Sequence, residues 1–166
     1  GEYVVVPQVA ALNAGVVFVV AMGSLAVYGV ILAGWVSNNK FSVLGGIRAA
    51  AQMLSYELSL GVTLACMAVL YGTLDLYEMV EAQESFWEWG VFRQPLACLV
   101  VLVAGMVESK RNPFDLPEAE SELVAGYFTE YSGMKFLTFW IAEFGEIALV
   151  ALMVTLVFFG GWSVPF

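Results

Sequence analysis

Apolar residues along this chain are gathered into long, nearly unbroken runs and do not alternate with polar ones. The first run extends from about Val9 to Trp35, with Asn13 and Ser24 as its polar interruptions, and the second from about Ala49 to Tyr71. The third covers Pro95 to Val107, with Val91 and Phe92 available to lengthen it, and the fourth Met134 to Phe159. A helix needs roughly 20 mostly apolar residues to cross about 30 Å of hydrocarbon. The pattern therefore predicts spans over about 9–35, 49–71, 91–108 and 134–159. Closed barrels are excluded, because their strands alternate with period two. The expected fold class is all-α: a polytopic membrane protein of about four transmembrane helices, residues 1–166 forming one membrane domain. A structured loop over 108–133 is expected between the third and fourth spans. No internal repeat supports an inverted-repeat transporter.

Composition sharpens the class. Of 166 residues, 61% are apolar and 13% charged, and 15 acidic against 6 basic side chains give a net charge of −9. Soluble domains carry about 25% charged residues. The mean hydropathy of +0.84 excludes disorder, and the acidic surplus excludes nucleic-acid binding. Lys and Arg near span ends mark the cytoplasmic side. Lys40 and Arg48 follow the first span, and Lys110, Arg111 and Lys135 bracket the third connection. With four crossings these five of six basic residues share one face, which places both chain ends outside. The connection from Gly72 to Gln94 carries Asp75, Glu78, Glu81, Glu84 and Glu88 against Arg93, and its Trp87, Trp89, Phe86 and Tyr77 read as an interfacial belt. The opening Gly1-Glu2-Tyr3, without methionine or a basic leader, points to a processed start or to part of a longer chain.

Chemistry can be narrowed by subtraction. Without histidine, the common zinc and haem arrangements have no ligands, and Cys66 and Cys98 read as buried, unreactive thiols. Gly45-Gly46 is too short for a nucleotide loop, so the chain is expected to bind no metal or cofactor and to hold no redox centre. What remains is carboxylate chemistry: Glu57 in the second run, with Glu143 and Glu146 on one face of the fourth. Charged side chains at mid-bilayer cost about 2.5–3.5 kcal/mol and normally face a wet or protein-lined interior. These acids either pass protons on or serve structure, by capping a pocket or pairing with Arg48 or Lys135. In the loop, Pro113 and Pro117 punctuate the backbone, and Asp115 with Glu118 has capping-box spacing for a short helix. Glu118 and Glu122 share its face. Beside Lys110 and Arg111, this acidic loop at the membrane surface is a docking or a ligand-binding element.

The string NPFDLPEAESELVAGYFTEYSGMKF, Asn112 to Phe136, resembles the hallmark loop of the H-type subunit of NADH:quinone oxidoreductase, respiratory complex I. GWVSNNKFSVLGGIRAAAQMLSYELSLG, Gly34 to Gly61, and the later FFGGW resemble the same family. The family has about twice as many spans, so the resemblance covers its middle, without the preceding basic segment at the quinone entrance or the last spans. It implies a membrane subunit that walls part of the quinone chamber and supplies the first carboxylates of a coupled proton path. By the same resemblance, Arg111, Phe114, Asp115, Glu118, Glu120 and Glu122 belong to the quinone-site loop; Gly126 and Gly133, whose backbone is permissive, are expected to serve as its hinges. Arg48, Glu57, Glu108, Glu130 and Glu143 would form the proton path. Lys110-Arg111 stands where the family commonly has Asn-Arg. Quinone is the implied substrate, and FMN and iron–sulfur clusters are expected in partner subunits. The implied partners are hydrophilic-arm quinone-site and iron–sulfur subunits, small membrane-arm subunits and the lipid bilayer. The implied location is the bacterial cytoplasmic membrane, ahead of the mitochondrial inner membrane. Two alternatives stay open: a related ion-translocating subunit of a membrane-bound hydrogenase or formate hydrogenlyase, and an independent transporter.

Overall fold

The computed structural model describes residues 12–110, 114 and 126–163. Over them the chain is helical: α1 (Gly15–Val36), α2 (Lys40–Tyr71), α3 (Leu76–Glu81), α4 (Gly90–Arg93), α5 (Pro95–Glu108) and α6 (Met134–Phe158). Single 3₁₀ turns occur at Phe86–Glu88 and Gly126–Phe128. Helices α1, α2 and α6 are long and apolar enough to cross a membrane, and α5 is a shorter apolar helix. Their outer faces are apolar as well: Val69 is 83% and Leu96 72% exposed, as suits contact with lipid.

Two boundaries differ from the sequence expectation, for local reasons. The second helix begins at Lys40, nine residues before the apolar run, because the Asn39 side chain accepts a hydrogen bond from Phe41 N at 3.1 Å and caps it. The third run is two pieces. Gln94, at φ −140° and ψ 67°, separates α4 from α5, and Pro95 opens α5 where its missing N–H is no loss. With 14 residues, α5 is about 21 Å long, short of a full crossing.

Helix α2 is central, packing against α1, α5 and the Gly126–Phe128 turn, while α6 packs against α5 and α3. In lipid, apolar burial gives helices little drive to associate, so close backbone approach and hydrogen bonds must hold them together. Both are present. A Cβ on Gly34 of α1 would lie 2.7 Å from Ser42 O of α2, and one on Gly46 would lie 3.2 Å from Val30 O. Tyr131 OH donates to Ala33 O at 3.1 Å, and Ser42 Oγ to Gly126 O at 3.3 Å. The core divides in two. One cluster joins Val16, Leu64, Met67, Met79, Val101, Val157 and Phe158 near the acidic connection. The other joins Val27, Val30, Ala49, Met53, Tyr127 and Phe128 near the basic end.

Candidate functional site

Between the two apolar clusters lies a polar layer. On α1, Ser24 follows the residues of the first cluster and precedes Val27 of the second; on α2, Glu57 stands between Met53 and Leu64. Ser24 Oγ donates to Glu57, joining the two helices at that level. Glu108 closes α5 at the same depth, with Oε1 3.9 Å from where a Cβ on Gly23 would stand. Because α5 is short, its end is inside the bundle, and the connection that follows starts there too. The expected loop at the membrane surface is thus, at its first residues, a buried one. Ser109 and Lys110 are both 7% exposed.

From α6 come Glu143 and Glu146, about one turn apart and roughly 14–18 Å down the helix from Met134. Glu143 Oε1 and Glu146 Oε2 are buried without a hydrogen-bond partner among the described residues. Lys110 Nζ lies 3.9 Å from Glu143 Oε1 and donates to Tyr127 OH at 2.8 Å. The charges of Glu146, Glu57 and Lys110 all act on Glu108. A cavity of about 40 Å³ bounded by Val20, Gly23, Glu57, Val101, Glu108 and Val150 lies among these helices. It is roomy enough for water, with two carboxylates to bind it. Glu57 and Ser24 also line a wider groove of about 470 Å³ that opens sideways between α1 and α2. Glu57 is therefore reached from both the interior cavity and the flank.

Of the acids expected from sequence, Glu57 and Glu108 line one cavity, and Glu143 and Glu146 of α6 are linked to them through Lys110. Arg48 is half-buried on α2, nine residues before Glu57. Glu130 is exposed and accepts from Asn39 Nδ2 at 2.8 Å, at the basic end and away from the other acids. Among the loop residues, Phe114 is half-buried, and its carbonyl accepts from Gln52 Nε2 at 2.9 Å. Arg111, Asp115, Glu118, Glu120 and Glu122, with the Asp115–Glu118 capping box, lie outside the described residues. Gly126 and Gly133 both adopt positive φ, 56° and 58°, a region where glycine is unstrained. Cys98 is buried as expected, whereas Cys66 is exposed on the outer face of α2.

Sequence reasoning missed Ser24, Gln52 and Tyr127. Gln52 Nε2 also donates to Val107 O at 2.9 Å, so one side chain fixes the end of α5 and the start of the loop. Ser24 carried a signal, as a polar interruption of an otherwise apolar run. Tyr127 carried none, since an aromatic beside Phe128 reads as core.

An all-helical membrane bundle with a layer of half-buried carboxylates between apolar clusters defines the class: a polytopic membrane protein with acids between its helices. The sequence model of the NADH dehydrogenase family matches residues 2–166, and the chain belongs to that family. It is 49% identical over 158 residues to the H-type subunit of NADH-quinone oxidoreductase from Protochlamydia amoebophila, covering 95% of this chain and 48% of that protein. It is 51% identical over 160 residues to the corresponding H-type protein of Salinibacter ruber, covering 95% and 46%. It is 46% identical over 161 residues to NADH-quinone oxidoreductase subunit 8 of Rhodothermus marinus, covering 95% and 47%. The chain thus spans about half the length of these relatives.

Proposed function

We propose that the chain is the middle of a membrane subunit of a proton-pumping NADH:quinone oxidoreductase, where it walls part of the quinone chamber and begins the coupled proton path. The observation that carries this reading is the carboxylate layer. Glu57, Glu108, Glu143 and Glu146 converge inside the bundle, next to the start of the loop that follows Glu108. Residues 108–133 form the quinone-site loop, with Arg111, Phe114, Asp115, Glu118, Glu120 and Glu122 as its polar and aromatic members, and Gly126 and Gly133 as hinges. Arg48 and Glu130 extend the path toward the basic end. The basic loops face the cytoplasm of a bacterial cell, where hydrophilic-arm quinone-site and iron–sulfur subunits dock. FMN and the clusters reside in those partners, and small membrane-arm subunits cover the flank.

The physical logic is charge coupling. Quinone reduction takes up two protons, and charge formed in a low-dielectric chamber acts on neighbouring carboxylates far more strongly than it would in water. Glu108, at the start of the loop, feels that change first. Glu146 and Glu57 interact with it in turn, so a proton gained or lost at one site alters the others. Glu57, open to both cavity and groove, is the exit.

The test uses the assembled complex with Glu57→Gln or Glu143→Gln. Electron transfer from NADH to a soluble artificial acceptor should survive, while proton pumping falls about tenfold or more, the scale of a lost acid–base group. Full pumping with normal quinone reduction in both variants would overturn the relay.

A further inference from the structure

The residue after α5 that stands out is Lys110. It is buried, its side chain being 4% exposed, and it holds φ 52°, a left-handed conformation more natural to asparagine or glycine. A lysine in that backbone, inside an apolar bundle, needs anchors. One is Tyr127, whose hydroxyl accepts from Nζ at 2.8 Å and whose ring centre is 5.1 Å away. The other is Glu143 on α6, at 3.9 Å.

These two distances differ in kind. The first is a formed hydrogen bond, while the second is about 1 Å longer than a charge-assisted N–H···O contact. An ammonium has three donors, and Glu143 Oε1 has no hydrogen-bond partner among the described residues. A small movement of Tyr127 toward α6 would complete the contact, and a movement away would lengthen it. Tyr127 is well placed to move as a unit with its turn. It is 1% exposed, its ring lies tilted against that of Phe128 with centres 4.0 Å apart, and it follows Gly126 at the end of the loop. The charge of Lys110 also acts on Glu108 and Glu146, so its position bears on the acids from both helices.

From this geometry, and resting on the function proposed above, we propose that Lys110 is a positioning residue that ties the loop end at Tyr127 to Glu143. Displacement of the Gly126–Phe128 turn is thereby passed to the carboxylates as a movement of charge. The role belongs to the ammonium and its hydroxyl anchor together.

The experiment uses the assembled complex in membrane vesicles, with protons moved per NADH oxidised as the readout. Assembly is checked by electron transfer to an artificial acceptor. Lys110→Met should lower the proton ratio about threefold while quinone is still reduced, and Lys110→Arg should restore most of it. Tyr127→Phe should fall between them, and it decides the matter if Lys110→Met does not assemble. In a Glu143→Gln background, Lys110→Met should cause a clearly smaller fractional loss than it does alone. An unchanged ratio in Lys110→Met and Tyr127→Phe overturns the inference, as does equal loss in Lys110→Arg and Lys110→Met. Additive loss with Glu143→Gln overturns it too. If Glu143→Gln and Glu57→Gln by themselves leave pumping intact, the fault lies with the proposed function instead.

Discussion

Gln83 uses every hydrogen-bonding position it has. Its Nε2 donates to Met79 O and Leu156 O, each at 3.0 Å, and its Oε1 accepts from Gly90 N at 3.1 Å and Gly160 N at 3.2 Å. One fully buried amide thus fastens the acidic connection to the start of α4 and the end of α6. Gln83→Leu would leave two buried N–H groups unpaired, each costing about 1–3 kcal/mol. The expected result is a loss of about 2–5 kcal/mol, seen as a lower midpoint in thermal unfolding of the detergent-solubilised protein, with Glu84→Gln at the exposed neighbouring position unchanged. An equal midpoint in both variants would show the staple to be dispensable. Nothing in the linear pattern marks it, because a glutamine between Glu81 and Glu84 has the composition of a solvated loop. The acids were different. Glu57 and Glu143 interrupt apolar runs, and a charge there is costly enough to stand out in one sequence.

At the scale of helices, the contact between α2 and the Gly126–Phe128 turn decides how the loop end is held. A Cβ on Gly45 would fall 2.8 Å from Gly126 Cα and 2.9 Å from Tyr127 N. Backbone atoms are the obstacle, so the turn itself must shift. Gly45→Ala should therefore cost about 1–3 kcal/mol in stability and, under the proposed function, also depress quinone reduction by moving Tyr127, whereas Gly61→Ala, with open space around it, should leave both unchanged. Turnover of the assembled complex, together with its thermal midpoint, checks this; equal behaviour of the two variants would count against the packing account. The adjacent glycines illustrate what a linear pattern can carry. Gly45-Gly46 is too weak for a nucleotide loop, but sequence alone does not say that each faces a different backbone, Gly126 on one side and Gly34 on the other. Long helices were legible because hydrophobic length is a one-dimensional quantity. The break at Gln94 was marked by Arg93-Gln94-Pro95, since the residue before a proline is pushed away from helical backbone, whereas the inward ending of α5 was not, because nothing in the run from Leu96 to Glu108 tells its depth.

For the molecule as a whole, the separation of charge sets orientation. One end carries Asp75, Glu78, Glu81 and Glu84 around α3, packed near the start of α1 through Val16 N donating to Leu74 O at 3.3 Å. The opposite end carries Lys40 and Lys135, with Asn39 and Glu130 joined between them. Basic residues near span ends are retained in the cytoplasm, so the acidic end should face outward. Single cysteines placed at Glu84 and at Lys40, in a background with Cys66 and Cys98 replaced by serine, separate the two faces with a membrane-impermeant thiol reagent. In intact spheroplasts the Glu84→Cys variant should label and the Lys40→Cys variant should not; inverted vesicles should reverse the pattern. The reverse result would put the Lys110 end, and with it the loop over 108–133, outside the cell. The partner arm of the proposed function, on the cytoplasmic side, could not then reach the loop, and the proposed quinone-site reading would fail even with every carboxylate of the layer in place. Labelling of both positions from one side would instead place the ends of α2 and α3 on a common face and require a different path for the chain after Tyr71.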